Sequence, residues 1–161
     1  MRNRNRPALT ADVSLVFPPD PAWVRTARET VRTLVDSAGR GEELTDAAVL
    51  LTSEVVTNAI AACAATGTTD PLTLSAGWTD PLKSLRVLVH DEAPGRPLYT
   101  VPADDSEHGR GLQLLSSGAD DWGVCTHVPG RGKSTWFELG RGWGVGTGRF
   151  ERGYRWEGWL P

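Results

Sequence analysis

Apolar positions along the chain recur with two different periods, and the switches between them predict eight elements. Val13 to Phe17 is a short apolar run ended by Pro18 and Pro19, which reads as a strand at a sheet edge. Asp20-Pro21 then supplies an N-cap acceptor followed by proline at the first helical position, where its missing N–H costs nothing. Val24, Ala27, Val31, Leu34, Val35 and Ala38 give the helix that follows one apolar face, and Gly39 or Gly41 closes it. Leu44, Ala48, Leu51, Val55, Ala59 and Ala62 repeat at three- and four-residue steps, predicting a second helix from Leu44 to Ala65 with Thr45 and Asp46 near its start. The cluster from Thr66 to Pro71 ends it.

The period then shortens to two. Leu72 to Trp78 and Ser84 to Asp91 read as strands joined in a hairpin through Thr79-Asp80-Pro81. Within the second, Leu85, Val87, Val89 and Asp91 share one face, so a core-facing row ends in a carboxylate. Residues 92–108 hold Pro94, Gly95, Pro97, Pro102 and the acids Glu92, Asp104, Asp105 and Glu107, a loop of the length at which a lid becomes more common than a connector. Gly109-Arg110-Gly111 opens a third helical segment carrying Leu112, Leu114, Leu115 and Ala119. Trp122 to His127 and Ser134 to Leu139 complete the pattern as a closing hairpin.

Length and composition narrow the class. A chain of 161 residues suits one compact domain with tails: an arm over residues 1–12, a folded domain over 13–139, and a glycine-, arginine- and tryptophan-rich tail over 140–161 that is expected to be flexible. A net charge of -3 argues against duplex binding by the whole protein, although interleaved arginines and aromatics in the tail would suit single-stranded nucleic acid or a protein groove. Cys63 and Cys125 lack any metal-type spacing and read as reduced, buried thiols. The basic N-terminus has no apolar segment behind it and no run approaches membrane-spanning length, so a cytoplasmic protein with no membrane partner is expected.

Three groups of residues invite chemistry. Glu54 and Asn58 lie four apart and border the apolar stripe of the second helix, as a ligand-binding pair or as a solvated shoulder. Asp91 needs donors at the end of a buried row. An exocyclic amino group of a purine is one suitable donor and a turn-capping role is the alternative, while Gly95 lets the chain bend past a flat ring. Gly109-Arg110-Gly111 precedes a helix, where free N–H groups favour phosphate, or it is a plain entry turn. Gly132-Lys-Ser-Thr135 is no P-loop, since His127 stands where the upstream glycine is required and a strand follows. Lys133 reads as a residue near phosphate or, more commonly for this pattern, as a solvated turn residue. His90, His108 and His127 lack ligand spacing, so no metal cage is expected.

Taken in order, Glu54-x-x-x-Asn58-Ala59, Asp91-Glu-Ala-Pro-Gly95-Arg-Pro97, Gly109-Arg-Gly-Leu112, Trp122-Gly123 and Gly132-Lys-Ser-Thr-Trp-Phe-Glu-Leu139 resemble one family. It is the anti-sigma regulatory factor family of serine/threonine kinase-like proteins, within the Bergerat-fold ATPases, and the likeness covers about residues 13–139. The resemblance implies an α/β (α+β) two-layer sandwich, with a mixed, mainly antiparallel sheet, helices on one face, and ATP held between helices and lid. Asn58 would ligate Mg²⁺, Glu54 would be the general base, Asp91 would read adenine, and Gly95 would border the ring. Gly109, Arg110, Gly111 and Leu112 would wrap the phosphates, and the Ser134 hydroxyl would support the Asp91 end. The implied partners are a sigma factor, an antagonist protein that accepts the phosphoryl group, or both. A homodimer is left open. The chain departs from many relatives at Ala59-Ile-Ala-Ala-Cys63, where they carry a histidine, and its acidic lid is short.

Overall fold

The computed structural model describes residues 11–79, 84–95, 110–126 and 132–140. Among them the elements run β1 (Val13–Phe17), α1 (Trp23–Ser37), α2 (Glu42–Thr66), β2 (Leu72–Thr79), β3 (Ser84–Asp91), α3 (Arg110–Gly118), β4 (Asp121–Thr126) and β5 (Lys133–Leu139). The strands form one sheet in the order β1-β2-β3-β5-β4, and all four described pairings are antiparallel. α1 packs on β1 and β2, α2 on β3 and β5, and α3 on β4 and the flank of α2.

Alternation along the strands decides which face the helices cover. Leu72, Leu74 and Ala76 of β2, Leu85, Val87 and Val89 of β3, and Phe137 and Leu139 of β5 share one face by register, and all are buried. Ala27, Val31 and Val35 of α1 and Leu44, Ala48, Leu51, Val55, Ala59 and Cys63 of α2 close over them as a single core. The two-layer sandwich is therefore the one that the strand and helix periods require.

Three boundaries differ from the sequence reading. α1 starts at Trp23 because the Asp20 carboxylate accepts the Ala22 N–H at 2.8 Å, which spends Asp20 on a turn ahead of the helix rather than on capping it. Asp12 is part of the sheet edge: its N–H donates to the Ala76 carbonyl and its carboxylate accepts the Trp78 N–H. Finally, α2, at 25 residues, is long and apolar enough to cross a membrane by length and composition, contrary to the expectation that no run comes close. Its apolarity is that of a core helix, because the stripe from Leu44 to Cys63 is buried against the sheet. The α1–α2 corner is pinned by the buried Thr45 hydroxyl, which donates to the Asp36 carboxylate at 2.8 Å.

The opposite face of the sheet carries a second buried layer. Arg86 and Glu138 face each other across β3 and β5, with Nε donating to Oε1 at 2.6 Å, and both are buried. The guanidinium also stacks over Trp136, whose ring lies where a Cβ on Gly123 would stand, 2.9 Å away. The Trp122-Gly123 box thus has a packing reason.

Removing one partner of a buried ion pair costs more than the pair is worth, because a desolvated charge stays behind. Glu138→Ala is accordingly expected to lower unfolding free energy by about 3–5 kcal/mol, whereas Arg86→Met with Glu138→Leu costs much less. Urea denaturation of the three proteins checks this, and an equal loss in single and double variants contradicts it.

Candidate functional site

α2 presents Glu54 and Asn58 one turn apart. Glu54 is half-buried and Asn58 exposed, between the buried Val55 and Ala59, so both stand where the sheet-facing stripe meets solvent. Neither is desolvated enough to demand a partner. Alone, the pair is a wetted shoulder carrying a carboxylate and an amide that can face a ligand.

The demand comes from Asp91. It ends the core-facing row of β3, is 1% exposed, and lies across the ladder from Lys133. Lys133 Nζ donates to Oδ1 at 2.7 Å, and the Ala93 N–H donates to the same oxygen at 3.0 Å. Oδ2 is buried and has no hydrogen-bond partner among the described residues. An orphaned carboxylate oxygen in a protein interior is costly and calls for a donor. Burial pushes the Asp91 carboxyl above the ordinary carboxylate range, against the hydrogen bond and the charge of Lys133, the Ala93 N–H and the His90 ring.

Lys133 corrects the sequence reading, which placed it in a solvated turn: it is the first residue of β5 and 5% exposed. Register explains the miss, since only the β3–β5 pairing reveals that Lys133 continues the row of Phe137 and Thr135 on the face of Asp91. The same register displaces Ser134. It pairs with His90, its hydroxyl lies 3.1 Å from His90 Nδ1, and it faces away from Asp91, so its hydroxyl does not support that carboxylate. His90 Nε2 in turn meets Glu92 at 3.0 Å.

Two glycines shape the rim. Gly95 has φ +97° with open space where a Cβ would sit, which leaves the chain beyond Asp91 unobstructed. Gly132 has φ +71°, and a Cβ there would lie 2.7 Å from the Asp91 carbonyl oxygen. α2 reaches this end of the sheet through Cys63, a buried free thiol pushed up first by burial and next by the Asp91 charge, hence an unreactive one. Cys63 follows Asn58 by five residues, about 7.5 Å of helix, so Asn58 and then Glu54 lie further from the Asp91 end along the solvent edge of α2. Arg110, Gly111 and Leu112 form the first turn of α3, which flanks α2. Residues 96–109, which hold most of the lid with His108 and Gly109, and His127 and the 141–161 tail lie outside the described residues. Among the described residues no three His, Cys, Asp or Glu side chains converge as a metal cage. A Mg²⁺ carried mainly by phosphate oxygens needs only one or two protein ligands, and Asn58 fits that part.

Helices thus cover one face of an antiparallel sheet, with a buried carboxylate at one strand end and a carboxylate–amide pair on the solvent edge of α2, the architecture of a two-layer α/β domain. The family model of the histidine kinase-like ATPase domain matches residues 17–137, and the chain belongs to that family. Among solved structures, the RsbU and RsbW domains of Rv1364c from Mycobacterium tuberculosis match with a TM-score of 0.59 at 17% identity, over 78% of this chain. This chain covers 30% of that one. No curated protein sequence matches the chain.

The raised titration of Asp91 has a stability consequence. A carboxyl that holds its proton more tightly folded than unfolded adds stability below its unfolded pKa, and that contribution is lost as pH rises through the folded pKa. The unfolding free energy of the wild type minus that of Asp91→Asn is therefore expected to fall as pH is raised from about 4, by no more than about 1.4 kcal/mol per pH unit. Denaturant melts across the acid range measure it, and a difference that grows with pH contradicts it.

Proposed function

We propose that this chain binds Mg²⁺-ATP and is a regulatory protein kinase that phosphorylates a serine or threonine of an antagonist protein and sequesters a sigma factor. The observation that carries the reading is the orphaned, buried Oδ2 of Asp91, an acceptor suited to the exocyclic amino group of adenine. Gly95 would border the ring, Asn58 would offer its side-chain oxygen to Mg²⁺, and the Gly109 to Leu112 box would offer backbone N–H groups to phosphates. Bound Mg²⁺-ATP supplies a transferable phosphoryl group whose charge the metal offsets. Glu54, one turn from Asn58 and half in water, takes the proton from the attacking hydroxyl as general base. Family membership and the fold likeness to a structure containing an RsbW domain support the regulatory role.

A second reading is favoured by one feature: α2 continues past Asn58 as Ala59-Ile60-Ala61-Ala62-Cys63, with no titratable group except a buried thiol. On this reading the chain binds its partner without turnover and nucleotide only sets its shape.

Calorimetry with Mg²⁺-ATP separates site from fold. Asp91→Ala and Asn58→Ala are each expected to weaken binding at least about tenfold, that is by about 1.4 kcal/mol, and equal heats in all three proteins sink the site assignment. Turnover is tested with radiolabelled ATP and antagonist proteins from the same genome. Transfer that disappears in Glu54→Ala supports the kinase, whereas ATP binding without transfer to any of them supports the second reading.

A further inference from the structure

We propose that Lys133 is a positioning residue of the nucleotide site: by holding Oδ1 of Asp91 it keeps that carboxylate charged and leaves Oδ2 as its one open acceptor. The inference rests on the nucleotide-binding reading above. Lys133 stands opposite Asp91 in the β3–β5 ladder, its ammonium 2.7 Å from Oδ1, and the two side chains are only 6% and 1% exposed. Lysine at the start of a strand ordinarily runs its stem to water, so burial here calls for compensation. The carboxylate provides it. Oδ1 is engaged twice, by Nζ and by the Ala93 N–H, and turning the carboxylate plane out of this orientation breaks both bonds. The orientation is therefore set before any ligand arrives, which is where a preorganised acceptor gains affinity.

Charge is the second half of the argument. The groups acting on Asp91 are Lys133 from β5 and His90 from its own strand, and Cys63 from α2 is coupled to it in turn, with Asp70 bearing on that thiol. Burial favours the neutral acid, and Lys133 supplies the two largest opposing effects. Without the ammonium, the acid form persists to higher pH. A protonated carboxyl brings an O–H donor and weaker acceptors to a place that must receive an amino group.

The test uses Lys133→Met and Lys133→Arg in the full chain, with thermal melts to show that each is folded. Two readouts are taken: the side-chain ¹³C shift of Asp91 titrated without nucleotide, and Mg²⁺-ATP affinity relative to wild type across pH. Lys133→Met is expected to move the Asp91 midpoint upward and to weaken ATP at least about tenfold at a pH below the variant's measured midpoint, with part of the loss recovered above it. Lys133→Arg, which keeps the charge, is expected to hold the midpoint and bind within a few fold. A folded Lys133→Met that titrates and binds as wild type does at every pH overturns the inference and leaves the nucleotide site standing. If Lys133→Met does not fold, a folded Lys133→Arg with unmoved Asp91 titration but affinity lost more than about tenfold also overturns it. Wild-type protein that binds no ATP removes the nucleotide reading itself.

Discussion

Everything proposed for this chain depends on a buried ion pair that is incompletely satisfied. Asp91 and Lys133 meet across β3 and β5 with one carboxylate oxygen bonded twice and the other bonded to nothing among the described residues. A fully satisfied pair would read as a structural staple, of the kind Arg86 and Glu138 make on the other face of the sheet. The difference lies in Oδ2. Orphaned polar atoms inside folded proteins are rare enough to need a reason, and a ligand donor supplies one here.

The fold explains how that atom comes to be buried. The row of Leu85, Val87 and Val89 is covered by α2, and Asp91 is the row's last member, at the end of the sheet to which Cys63 brings α2. From there α2 carries Asn58 and then Glu54 along the groove at the solvent boundary. The proposed acceptor for a base, amide for a metal and carboxylate for a proton would thus come from one strand end and one helix edge. Such a division leaves the phosphate end wet and the base end dry, which suits a polyanion joined to a flat ring.

Much of this was legible in the residues. The alternation of β3 identified Asp91 as buried, the three- and four-residue steps of α2 placed Glu54 and Asn58 on one edge, and all eight described elements have their expected type. What escaped depends on pairing between strands far apart in sequence. Lys133 read as a solvated turn residue and Ser134 as a neighbour of Asp91 because a one-residue change in register exchanges their faces, and β3 and β5 are separated by 41 residues of chain. Asp20 shows a local limit: the same side chain can cap a helix or close a turn, and the two differ by hydrogen bonds of similar strength. The cost of an orphaned oxygen likewise has no sequence signature, since it arises only when Lys133 takes one oxygen and leaves the other.

The most direct measurement compares affinity for ATP with that for inosine triphosphate, which carries a carbonyl oxygen in place of the exocyclic amino group, at one pH and Mg²⁺ concentration. If Oδ2 of Asp91 receives that amino group, ATP binds at least about tenfold more tightly, because the inosine carbonyl sets acceptor against acceptor. Equal affinities for the two nucleotides contradict the account.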